Sequence, residues 1–218
     1  MPSDPHTEPH FASAALLTID TQRDVLDDGG FPIPGTSAAL GAIARLVHRF
    51  RESRLSIVHV VRIYEPDGRN AEPCRRELLA GGAQLVLRGT PGCQLAGELL
   101  PDPELLLDEQ LLLSGGVQTL GEREVAIYKP RWGAFHRTPL EQHLREHRVS
   151  TLVFAGCNFP NCPRTSIYEA SERDFRTVLV RDAVSGLYER GEQELHNIGV
   201  QIMNSDEVIQ ALATTVNK

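Results

Sequence analysis

The stretch TLVFAGCNFPNCPRTSIYEASERDF, residues 151–175, decides the fold. Leu152, Val153, Phe154 and Ala155 form an apolar run of the kind found in a strand buried on both faces, and Gly156 ends it. A short turn, Cys157-Asn158-Phe159-Pro160-Asn161, then delivers Cys162 to the start of a predicted helix. The first N–H groups of a helix have no partner within it, and its dipole is positive at that end. A thiol placed there is expected to ionise more readily, and the same N–H groups can hold a developing oxyanion.

The alternation continues outward in both directions. Ala14–Asp20 reads as a first strand ending in an acid. Thr36–Phe50 follows as a helix, with Ala39, Ile43, Leu46, Val47 and Phe50 at helical spacing. Leu55–Val61 and Glu124–Tyr128 read as strands, the latter ending at Lys129, and Thr177–Asp182 as another. Gln84–Leu87 is a sixth candidate strand. Helices are expected over Glu72–Leu79, Pro139–Glu146, Pro163–Asp174, Glu192–Met203 and Asp206–Ala213. Repeated strand–helix units predict a three-layer α/β/α domain around a mostly parallel, Rossmann-like six-stranded sheet. Ligands of such sheets sit beyond the carboxyl ends of the strands. Asp20, Lys129 and, after a turn, Cys162 all fall there.

Composition sets outer bounds. The chain has 218 residues, 41% of them hydrophobic, which suits one domain over residues 13–218 behind a polar, Pro-rich tail, residues 1–12, expected to be disordered. A net charge of −7 argues against a nucleic-acid partner, and no apolar run is long enough to span a bilayer. With no export signal legible, the four cysteines are expected as free thiols in the cytoplasm. His143 and His147 lie one helical turn apart, but the surface of an exposed helix is the simpler reading. No metal and no cofactor are expected.

Three segments together carry a family resemblance. LLTIDTQRDVL (16–26), YKPRWGAFHRTPLEQHLRE (128–146) and the block from Val153 to Gly186 resemble the isochorismatase-like cysteine hydrolases in order, spacing and context. The resemblance implies a catalytic triad of Asp20, Lys129 and Cys162. It also implies a non-proline cis peptide at Cys157–Asn158, which would turn the Asn158 N–H beside that of Cys162 to form an oxyanion hole. Phe159, Pro163 and Ser166 depart from the residues common in that family. The turn NFPN and the segment YKPRWGAF look close to streptothricin hydrolases, which open a cyclic amide. The implied activity is hydrolysis of a small-molecule C–N amide or lactam through a thioester, by a homodimer or homotetramer. The alternatives are a vinyl-ether hydrolase with Asp20 as acid, and a non-catalytic binding protein on the same fold. Candidate substrate contacts are Gln22, Tyr64, Trp132, Phe135, His136, Asn161 and Arg164, with Arg62 also within reach.

Overall fold

The structure, a computed structural model, describes residues 4–216. Seven strands form one sheet in the order β3-β4-β2-β1-β5-β6-β7: β1 (Ala14–Ile19), β2 (Ser56–Val61), β3 (Val117–Gly121), β4 (Glu124–Tyr128), β5 (Thr151–Gly156), β6 (Arg176–Val184) and β7 (Gln201–Met203). All neighbours run parallel except the β3–β4 hairpin at one edge. The helices are α1 (Thr36–Glu52), α2 (Pro73–Ala80), α3 (Glu109–Leu113), α4 (Leu140–Glu146), α5 (Cys162–Ser171), α6 (Glu189–His196) and α7 (Ser205–Val216).

Alternation along the strands assigns the two faces. Ala15, Leu17 and Ile19 of β1 pack with Leu140, Leu144, Ile167, Ala170 and Leu195 from α4, α5 and α6. Ala14 and Leu16 point the other way, onto Ile43, Leu46, Val47 and Phe50 of α1 and Val208 and Leu212 of α7. Every residue of β1, β2 and β5 is buried, which is why those segments read as continuous apolar runs rather than alternating ones.

The connection leaving β1 runs toward β2, and that leaving β5 runs toward β6, on the opposite side. The carboxyl ends of β1 and β5 therefore flank the point where the winding reverses, which is where such sheets open a crevice.

The sheet has one strand more than expected, and its membership differs. Residues 84–87 form no strand. Leu87 makes an isolated bridge to Tyr64, and the Tyr64 N–H donates to the Val86 carbonyl at 3.0 Å. The edge strand β3 buries only Leu120, so its apolar signal was weak. The helix expected over residues 192–203 ends at His196. Gly199, at φ +83°, reverses the chain into β7, which pairs with Val178–Val180 of β6. Ile198, Val200 and Ile202 carry the period-two pattern of that strand.

Residues 1–3 of the expected disordered tail lie outside the described residues. Residues 4–12 are placed against the domain: the His10 N–H donates to Thr151 Oγ1 at 2.9 Å, and Thr7 fills the space beside Gly199. Among the described residues no helix is long and apolar enough to cross a membrane.

Candidate active site

Three strand ends build the site. The chain leaves β1 through Asp20 at φ +49°, a left-handed conformation uncommon for a residue with a side chain. The Asp20 N–H donates to Val60 O at 2.9 Å. Lys129 follows β4, its N–H bound to Val61 O at 2.9 Å. After β5, Gly156 turns the chain at φ +116°, where a Cβ would lie 2.2 Å from the Ile19 carbonyl oxygen. Only glycine fits. Cys157 then donates its N–H to that oxygen at 2.8 Å, tying the turn to the end of β1.

These connections bring the three expected residues together. Lys129 Nζ lies 2.8 Å from Asp20 Oδ2 and 3.3 Å from Cys162 Sγ, and donates also to the Arg131 carbonyl at 3.3 Å. Lys129 is 1% exposed and Cys162 7%. Burial works against the Lys129 ammonium, but Asp20 and Cys162 outweigh it and raise its pKa. The Cys162 thiol shifts the opposite way from expectation. Burial pushes it up, the Asp20 carboxylate pushes it further, and Lys129 offsets only part. The helix start does not prevail over desolvation: burial and the Asp20 carboxylate together favour the protonated thiol. Asp20 Oδ1 is buried with no hydrogen-bond partner.

The expected cis peptide is absent: every described peptide bond is trans, including Cys157–Asn158. The chain turns at Gly156, φ +116°, with the peptide bonds that follow all trans. Within the turn, Cys157 N–H is used by Ile19 O, Phe159 N–H by Ser185 O at 2.8 Å, and Asn161 N–H by Asn158 O at 3.1 Å. Of the amides from Cys157 to Cys162, those of Asn158 and Cys162 donate to no acceptor among the described residues, and they are the pair expected as oxyanion donors.

The loop carrying Lys129 is clamped to α5, the helix that begins with Cys162. Ser166 accepts the Ala134 N–H at 3.0 Å and donates to the Cys162 carbonyl at 2.7 Å, while Glu169 accepts the Phe135 N–H at 2.9 Å. A side chain at Gly133 would meet the Glu169 carboxylate within 2.4 Å, so glycine there leaves room for the carboxylate that accepts the Phe135 N–H.

Asp20, Lys129, Cys157, Asn158, Asn161 and Cys162 open onto one cleft. Its walls come from Val25, Ile33, Leu85, Val86 and Trp132, and its other charges from Arg62, Glu72 and Arg75. Arg62 and Glu72 are both buried and paired at 3.2 Å. Arg62 also donates to Tyr128 Oη at 2.7 Å and Asn70 O at 2.8 Å, and lies 4.2 Å from the Tyr64 ring centroid. Tyr64 donates its hydroxyl to Glu72 at 2.8 Å, and burial raises its pKa. Burial opposes the Glu72 carboxylate, but Arg62 holds it below its ordinary value.

Of the expected substrate contacts, Gln22, Tyr64, Trp132 and Asn161 line the cleft. Gln22, however, spends its amide on the backbone: Nε2 donates to Arg62 O at 2.8 Å and Cys93 O at 2.6 Å, and Oε1 accepts the Arg62 N–H at 2.9 Å. Phe135, His136 and Arg164 do not line it. Phe135 packs in the core, 6.0 Å from the Phe175 ring, and His136 is exposed. Arg164 turns outward to Glu194 and Tyr188. Sequence reasoning missed Glu72, Arg75 and the four aliphatic wall residues. They lie on short helices and irregular segments whose placement against the cleft no local periodicity reports. Among the described residues no group of three His, Cys, Asp or Glu side chains is placed to hold a metal ion.

A family model for the Isochorismatase domain matches residues 14–207. A probable inactive nicotinamidase of Arabidopsis thaliana is 27% identical over 208 residues, covering 92% of this chain and 97% of its own length. Ureidoacrylate amidohydrolase RutB of Methylobacterium radiotolerans is 24% identical over 204 residues, covering 85% of this chain and 70% of its own. Among solved structures, an isochorismatase family protein from Desulfovibrio vulgaris superposes with a TM-score of 0.78 at 29% identity, covering 92% of this chain and 98% of that one. With the model matched from β1 into α7, the chain belongs to the isochorismatase family.

Proposed function

We propose that the protein is an amidohydrolase that cleaves a C–N bond of a small molecule, with Cys162 as nucleophile and a thioester as intermediate. The observation that carries this reading is the buried Lys129 ammonium, in contact with both a carboxylate and a thiol at one rim of a parallel sheet. The Methylobacterium radiotolerans relative is named an amidohydrolase, which agrees with it, whereas the Arabidopsis relative is named a probable inactive nicotinamidase.

Asp20 takes the thiol proton as Sγ attacks the amide carbon. Lys129 stays charged and stabilises the carboxylate and the forming thiolate in turn. The unspent N–H groups of Asn158 and Cys162 bind the tetrahedral oxyanion. Asp20 returns the proton to the amine as the C–N bond breaks, leaving an acyl-Cys162 thioester. Water attacks the thioester with Asp20 again as base, the C–S bond breaks, Asp20 returns the proton to Sγ, and the carboxylic acid departs. One water is consumed, and the products are an acid and an amine or ammonia.

A vinyl-ether hydrolase would use Asp20 as acid and leave the thiol idle, whereas here the thiol holds the third corner of the Lys129 contact. Assay of open-chain amides, lactams and isochorismate separates the two. Amine or ammonia release from at least one amide, with isochorismate untouched, is the expected result. Turnover of isochorismate with no amide cleaved overturns the proposal.

A further inference from the structure

The charges lining the cleft do not balance. Asp20 and Lys129 neutralise one another at 2.8 Å, and Glu72 and Arg62 do so at 3.2 Å. The fifth charged residue, Arg75 on α2, has no ion-pair or hydrogen-bond partner for its guanidinium among the described residues. Its planar head lies 5.9 Å from the ring centroid of Trp132, itself a wall of the cleft. An arginine on an open helix face would simply be solvated. Arg75 is half-buried and shares its cleft with Leu85 and Val86, so its charge acts in surroundings of lowered dielectric.

We infer that Arg75 recognises an anionic group on the substrate, a carboxylate by its fit to the guanidinium fork, so that the substrate class is an amide bearing an acid. This rests on the amidohydrolase reading of the same cleft. A neutral amide leaves the surplus charge uncompensated, and a cationic one is repelled by it. The apolar walls place a short hydrocarbon body between the scissile carbonyl at Cys162 and the acid at Arg75.

The experiment measures binding without turnover. Full-length Cys162→Ala protein is titrated calorimetrically with succinamate and 4-carbamoylbenzoate, and with the methyl ester of each. At least one acid should bind roughly 10- to 100-fold more tightly than its ester, the range of a charge-assisted hydrogen bond. Adding Arg75→Gln should bring the acid-to-ester ratio to about one, and Arg75→Glu should reverse it. Failure of both acids to bind, equal affinity of acid and ester, or a preference that survives Arg75→Gln overturns the inference. The same probes, given to the enzyme with Cys162 intact, keep the two claims apart. Charge-selective binding without ammonia release counts against the amidohydrolase reading and leaves anion recognition standing. Equal kcat/KM for acid and ester does the reverse.

Discussion

Cys162→Ala should abolish amide turnover, by at least about 10⁴-fold in kcat, while leaving the fold intact. The residue removes only Sγ from a site where Lys129 keeps its ion pair with Asp20, so no buried charge is orphaned. The change also creates a void of a single atom, which costs on the order of 1 kcal/mol. Far-ultraviolet circular dichroism and the thermal midpoint should therefore match the parent closely. Substantial turnover in the variant would show that the thiol is not the nucleophile. Loss of activity together with loss of structure would show a packing role instead.

Asp20→Asn should also cut turnover sharply while making the Cys162 thiol easier to ionise. Asparagine cannot accept the thiol proton, so acylation should fall by about 10³-fold or more. The carboxylate is also one of the causes that raise the Cys162 pKa, second only to burial, while Lys129 lowers it. Deleting the carboxylate removes an upward push and no downward one, so the thiol pKa must fall. Iodoacetamide at a fixed mildly alkaline pH should then alkylate Cys162 faster in the variant than in the parent, although the variant turns over less. The change also leaves the Lys129 ammonium buried without its counter-charge, which should cost about 3–5 kcal/mol in denaturant unfolding. Slower alkylation in a folded variant would contradict the electrostatic account of the site.

What the sequence made legible was local to strand ends. In a parallel sheet, residues that follow successive strands arrive at one rim by construction, so Asp20, Lys129 and Cys162 could be placed together without coordinates. Distance from the strand end eroded that logic. Phe135 and His136 lie seven and eight residues past β4, where the loop has already turned from the rim, and Phe135 has entered the core. Arg164 is two positions beyond Cys162 on α5, about 200° around the helix axis, and so points away from the cleft. The depth of the thiol was invisible as well. The pattern around Cys162 announces a helix start but not the burial that reverses the expected pKa shift. Arg75 sits on a short helix within an irregular segment, and only tertiary packing brings it to the cleft.

The central claim is that an acyl group passes through Cys162. It is tested most directly by quenching the enzyme in acid during turnover of the best amide of the panel and measuring intact mass, followed by peptide mapping. The account predicts an adduct equal to the acyl fragment, confined to the peptide containing Cys162 and removed by hydroxylamine. Steady turnover with no adduct at Cys162 under conditions that trap a thioester, or the adduct on any other residue, would contradict it.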